Sequence, residues 1–313
     1  MTKIAFIFPG QASQYPGMGK EFNDEFKVAR LVFEEADQIL GVSLSQLCFN
    51  DPEERLKLTE NTQPALLTVS IAAFRVLSSK GVQPHFVAGH SLGEYSGLVA
   101  AESLSLSDAL ITVRSRGKYM QEAVPTGQGA TAAILGLDQE RIQDLWREAA
   151  REAVLATANL NSPGQIVIAG TTAAVHRAME LARARGAKKT ILLPVSAPFH
   201  CPLMQPAQDR LENDLAQIQF RDPTFPLINN VDAAEVSSSD QIRNSLIRQV
   251  SSPVRWTESV RLMIARGVGL FVEVGPGRVL SGLVRQIDKS VKTANVEDIN
   301  SLNETLDVIE LLG

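Results

Sequence analysis

Apolar and polar positions change period repeatedly along this chain of 313 residues. KIAFIF (3–8) is a short apolar run stopped by Pro-Gly, which predicts a buried first strand, and a Gly/Gln-rich loop, FPGQASQYPGMG, follows it. Apolar residues at helical spacing predict a helix over 21–40 and a second, mostly buried one over LLTVSIAAFRVL (66–77). HFVAG (85–89) is β-prone and LGEYSGLVAA after it is helical, so this segment reads strand, tight turn, helix. A further helix is expected over about 107–122.

Near Gly127 the pattern changes. ATAAILGL is strand-like, DQERIQDLWREAA helical, AVLATANL and QIVIAG strand-like, TAAVHRAMELARARG helical and KKTILLPV strand-like. In order this is β-α-β-β-α-β, the split ferredoxin-like arrangement, placed at 128–195 as an insert. Strand–helix alternation typical of a layered sheet then resumes: the loop VSAPFHCP, a helix over about 203–218, the short strand FPLINN, helices from about 239 and over 257–266, the strand LFVEV, a turn and helix in GPGRVLSGLVRQI, the strand VKTANV and a last helix. SSSD (237–240) reads as a helix N-cap. The expected division is therefore 1–127 with 196–313 as one discontinuous part, and 128–195 as a smaller one.

Composition narrows the function classes. The chain is 44% hydrophobic and 21% charged, an ordinary globular balance, and its net charge of −5 comes with no basic tail, so neither nucleic acid nor an anionic membrane is an expected partner. Cys48 and Cys201 form neither a C-x-x-C nor a disulfide framework, which points to a reducing cytoplasm. No apolar run approaches ~18 residues, and the first strand is too short for a signal segment. No cluster of ligand types suggests a metal.

The candidate chemistry lies in AGHSLGEY (88–95), a G-x-S-x-G motif on a strand–turn–helix. Glycines on either side remove Cβ clashes where a strand reverses into a helix, and expose the Ser91 hydroxyl beside backbone N–H groups at a helix N-terminus. A serine needs a base. Adjacent side chains on so tight a turn diverge, which makes His90 a packing residue; His85 precedes the strand at its opposite end, and His176 falls on the insert helix. His200, in a proline-framed loop after a strand, is the expected base. An acid orienting it would lie between serine and histidine in α/β-hydrolase order, but Asp138 and Asp144 belong to the insert, and the orienting group stays open. The elbow alone fits a serine hydrolase, either esterase or thioesterase.

FPGQASQ (8–14), TQPA (62–65), GHSLGEY (89–95), RGKYMQEA (116–123), NSPGQIVIAG (161–170), SAPFHC (196–201), QVSSPVRW (249–256) and VEVGPG (272–277) occur in one order along the whole chain, and together they resemble the malonyl-CoA:acyl carrier protein transacylases. The resemblance implies an α/β-hydrolase-like core with a mostly parallel sheet plus an inserted ferredoxin-like subdomain. It implies Ser91 as the acylated nucleophile, His200 as the base, Arg116 as the partner of the malonyl carboxylate, the backbone N–H groups of Gln11 and Leu92 as the oxyanion hole, and the Gln249 carbonyl as the group that orients His200. Gln63 either lines the site or caps the following helix. Malonyl-CoA and holo acyl carrier protein are then the substrates, no bound cofactor is required, and the malonyl group is carried by a ping-pong route for fatty acid synthesis, with a trans-acting polyketide acyltransferase as the alternative. An acidic carrier protein would dock on a basic patch, either 182–189 or Arg243, Arg248 and Arg255. Phe199 either disfavours branched acyl groups or only packs the loop. One departure stands out: the family reads GQGSQ where this chain has GQASQ, and Ala12 is expected to be tolerated with a negative φ.

Overall fold

The computed structural model describes residues 2–312 apart from Pro52 and Ser196, so Ser196, where the sequence pattern placed the return from the insert, lies outside the described residues. Among the described residues ten strands form two sheets. They are β1 (Lys3–Phe8), β2 (Phe86–Gly89), β3 (Gly129–Leu135), β4 (Leu155–Ser162), β5 (Gln165–Thr171), β6 (Lys189–Leu192), β7 (Leu227–Ile228), β8 (Glu235–Val236), β9 (Val268–Val274) and β10 (Lys292–Val296).

The larger sheet has the order β10-β9-β1-β2-β7-β8, parallel throughout except for the terminal β8. β1 lies inside it and is buried at every position after Lys3, as a continuous apolar run in a sheet covered on both faces requires. One face packs Phe6, Phe8, Val87 and Val272 against the helices between Lys20 and Glu122; the other packs Ala5, Ile7, Ala88 and Phe271 against the helices Trp256–Ala265 and Val279–Ile287.

The smaller sheet is fully antiparallel in the order β4-β5-β3-β6. In local chain order this is second, third, first, fourth, the ferredoxin-like arrangement expected for this stretch. Its residues alternate between two faces. Ala132, Ile134, Ile166 and Ile168 bury under the helices Gln139–Ala150 and Thr172–Ala184, while Ala133, Val167 and Ala169 face Cys201. β4 is tied to the larger part, because Leu160 N–H donates to the Val254 carbonyl and Val254 N–H to that of Ala158.

Three elements differ from the sequence pattern. The helix expected over 21–40 is two, Lys20–Glu25 and Lys27–Leu40, because Phe26 turns extended (φ −116°, ψ 116°) and sets its ring edge-on to Phe22 at 5.9 Å. The helix expected over 66–77 begins at Thr59 and carries Pro64 within its second turn. FPLINN contributes only Leu227–Ile228 to the sheet; of its two buried asparagines, Asn229 holds the turn through Asp232 and Ala234, and Asn230 reaches the site.

Candidate active site

Ser91 stands at the C-terminal end of β2 with φ +53°, strained as a nucleophile elbow is. Close packing explains both glycines. A Cβ on Gly89 would sit 1.9 Å from the Gly93 carbonyl carbon, and one on Gly93 would sit 2.0 Å from the Phe8 oxygen. The elbow is thus wedged against the end of β1. Asn230, following β7, braces it: its Oδ1 accepts the Ser91 N–H at 2.7 Å and its Nδ2 donates to the Gly89 carbonyl at 2.7 Å.

The Ser91 hydroxyl donates to His200 Nε2 at 2.7 Å. His200 is buried, and its Nδ1 meets the Gln249 backbone carbonyl at 2.9 Å. A carbonyl only accepts, so Nδ1 carries the hydrogen and Nε2 offers its lone pair to the serine. Burial, and next the Arg116 charge, push the imidazole down to about 3, which keeps it neutral in the free protein. The group in place to orient His200 is a peptide carbonyl, and among the described residues no acid contacts the imidazole. His90 points elsewhere: its Nε2 bonds Asn161 Oδ1 at 2.8 Å and its ring meets Trp256 edge-on at 5.7 Å. His85 accepts the Ile4 N–H at the start of β2, and His176 is exposed on the small-sheet helix.

Arg116, 2% exposed on the helix Leu106–Glu122, reaches the same point. Its Nη2 donates to Ser91 Oγ at 3.2 Å and to Gln249 Oε1 at 2.9 Å, and its Nη1 donates to Gln63 Oε1 at 2.7 Å. All three acceptors are neutral, Nε finds no partner, and no ion pair involves this residue among the described residues. A guanidinium taken out of water with no carboxylate on its fork is costly unless an anion arrives. Tyr95 lies 5.7 Å beneath it, and the buried carboxyl of Glu94 is held off by the Gln249 amide, which donates to Glu94 Oε2 at 2.9 Å.

Gln63 lines the cleft from inside the helix Thr59–Ser79, so it does not cap that helix, and its Oε1 accepts from Arg116 Nη1. Gln11 and Leu92 line the cleft, and their N–H groups donate to no acceptor among the described residues. Ala12 departs from expectation: its φ is +86°, and its N–H is taken by Gln14 Oε1 at 2.8 Å. The loop leaves β1 so close to the elbow that a Cβ on Gly10 would meet the His90 oxygen at 2.4 Å.

These groups meet in a cleft of about 120 Å³, open to solvent, whose far wall is the helix-free face of the small sheet through Thr131, Ala158 and Val167, with Phe199 at one side. Among the described residues there is no group of three or more His, Cys, Asp or Glu placed to hold a metal, and no helix is long and apolar enough to cross a membrane. Of the basic candidates, Arg243, Arg248 and Arg255 are each paired with an acid, as is Arg185 within 182–189, whereas Lys188 and Lys189 are exposed and form no ion pair among the described residues.

Ser91 and His200, expected from local pattern, and Arg116, Gln11, Leu92, Gln249 and Gln63, expected from family likeness, come together here, joined by Asn230, Glu94 and the Gln249 side chain, which neither indicated. Glu94 was findable as the lone charge in the otherwise small and apolar GEYSGLVA.

The acyl transferase domain family matches residues 5–304. A malonyl CoA-acyl carrier protein transacylase of Bacillus subtilis is 48% identical, with 99% of this chain and 98% of the relative covered. The solved transacylase of that name from Coxiella burnetii superposes with a TM-score of 0.96 at 42% identity, over 98% of this chain and 97% of the other. A malonyl-transacylase solved in complex with its type II polyketide acyl-carrier protein gives 0.95 at 46% identity, over 98% and 99%. With this agreement along its whole length, the chain belongs to the acyl transferase domain family and stands within it among the malonyl CoA-acyl carrier protein transacylases.

Proposed function

We propose that this protein transfers the malonyl group of malonyl-CoA to the phosphopantetheine thiol of holo acyl carrier protein, through a malonyl ester on Ser91, and so supplies extender units for fatty acid synthesis. His200 Nε2 takes the hydroxyl proton as Ser91 Oγ attacks the thioester carbonyl. The developing oxyanion turns to the N–H groups of Gln11 and Leu92, each worth roughly 3 kcal/mol of barrier in comparable sites. CoA leaves with the proton from His200, and the carrier thiol then reverses the sequence, with His200 taking the thiol proton. No step calls on a metal or a resident cofactor.

The observation that carries the reading is Arg116: a buried cation beside the nucleophile whose hydrogen-bond acceptors are all neutral. A carboxylate one methylene beyond the acyl carbonyl would supply the missing charge as a bidentate partner. The same carboxylate would cancel the Arg116 charge that depresses His200, so the base would strengthen as the proper substrate docks. An esterase working on neutral acyl groups would leave this arginine without a partner.

We take 128–195 as the small subdomain that roofs the cleft and 1–127 with 196–313 as the catalytic one. The exposed Lys188 and Lys189 offer the uncompensated charge suited to an acidic carrier, and two free buried cysteines suit a cytoplasmic protein. The test is transfer from malonyl-CoA to holo carrier protein, read as the mass of the loaded carrier. Transfer by the native protein and none by Ser91→Ala supports the reading, and equal loading by both defeats it.

A further inference from the structure

Glu94 is 1% exposed, and none of the steps above uses it. The other deeply buried carboxyl, Glu273, caps the helix Val279–Ile287 by accepting the Leu280 and Ser281 N–H groups, which explains its place. Glu94 has a different setting. Its Oε2 accepts the Asn230 N–H and the Gln249 Nε2–H, each at 2.9 Å. The same Gln249 amide turns its Oε1 to Arg116 Nη2 and its Nε2 to the Ser91 carbonyl as well. This orientation is forced, because a guanidinium can only donate while an ionised carboxylate and a carbonyl can only accept. One neutral amide therefore bridges a buried carboxyl and a buried cation.

Other charges around Glu94 do not replace Arg116. Asp232, in the turn after β7, repels it; Arg248 attracts it from the helix Ser239–Gln249 but is tied to Asp232 at 2.6 Å; Tyr95 beside it is held neutral by burial. Burial is the largest influence and raises Glu94 to about 7, while the two hydrogen bonds and the Arg116 charge favour its ionised form. A substrate carboxylate on the Arg116 fork would put two anions against one buried cation, with Glu94 itself cut off from water. Like charges so placed cannot both persist, and the one without direct contact takes the proton.

We propose that Glu94 is the counter-charge that Arg116 exchanges for the acyl-chain carboxylate, so that loading a carboxyacyl group onto Ser91 draws one proton from solvent onto Glu94. This rests on Arg116 being the receptor of that carboxylate. No bond other than the carboxyl O–H forms at Glu94. The ionised residue resists malonyl binding and the protonated one permits it.

The test uses malonyl-N-acetylcysteamine, which has no phosphate to titrate, with acetyl-N-acetylcysteamine as the neutral control. For the native protein KM for the malonyl donor rises with pH above about 7, by up to roughly tenfold per unit, with kcat little changed. Glu94→Gln keeps an oxygen for both N–H donors but cannot ionise, so its malonyl KM stays low and flat. The acetyl KM is flat in both. Calorimetry in two buffers of different ionisation enthalpy reads the proton directly, with net uptake for malonyl and none for acetyl near pH 7.5. Should Glu94→Gln fail to fold, the native profile and the proton count decide alone. A malonyl KM independent of pH, or one with the same pH dependence in Glu94→Gln, overturns the exchange. Absence of any preference for malonyl over acetyl would instead overturn Arg116 as receptor, which separates the two failures.

Discussion

Arg116 Nη2 lies 3.2 Å from Ser91 Oγ, so the cation and the acyl-accepting atom share a hydrogen bond before any substrate enters. Selection and catalysis then occur at one point. Replacing Arg116 by Ala should lower kcat/KM for malonyl-CoA by about 100-fold or more, close to ~3 kcal/mol, because the malonyl carboxylate would be buried unpaired. Acetyl transfer should be spared or rise. Steady-state kinetics with both donors check this; equal losses on the two would contradict it.

The same arginine sets the pH behaviour of the base. With His200 held down to about 3 by burial and by Arg116, the neutral form persists far below the ordinary imidazole range. Acylation by a neutral acetyl thioester should therefore show no acid inflection near pH 6.5. Arg116→Ala removes a positive charge and should move the inflection upward. Burst kinetics of thiol release between pH 4.5 and 8, in both proteins, read the result; an inflection near 6.5 in each would refute it.

Ala12 holds φ at +86°, which a Cβ disfavours by about 1–2 kcal/mol. Ala12→Gly should raise stability by about 1 kcal/mol after the greater chain entropy of glycine is subtracted. An increase in the urea midpoint with an unchanged m-value is expected, and a decrease would contradict strain at Ala12.

Gly93 and Gly97 lie one turn apart on the same helix but differ in what a Cβ would meet: the Phe8 oxygen at 2.0 Å for Gly93, and the Leu227 side chain at 3.6 Å for Gly97. Gly93→Ala should cost ~3 kcal/mol or more and abolish acylation, whereas Gly97→Ala should be nearly neutral. Thermal melts of the two variants side by side decide the matter.

The parts legible in the sequence were those in which local pattern and tertiary demand agree. KIAFIF had to be a strand buried on both faces, and the β-α-β-β-α-β alternation from Gly129 to Leu192 carried its own sheet. Ser91 and His200 were legible because only one serine sat on an elbow and only one histidine on a rigid loop after a strand. Arg116 was not, since nothing local separates it from Arg114, and it entered through family likeness alone. Its burial arises only when Gln63, Ser91 and Gln249 converge from three elements. Phe26 and Ala12 went astray for a related reason: each takes a backbone conformation set by neighbours remote from its own helix or turn propensity.

The central claim is that Ser91 carries a malonyl group bound for a thiol. Intact-protein mass spectrometry after mixing with malonyl-CoA tests it most directly. The account predicts one malonyl adduct on Ser91, stable in buffer and discharged promptly when holo carrier protein is added. No adduct, or an adduct that leaves to water as fast as to the carrier thiol, would contradict it.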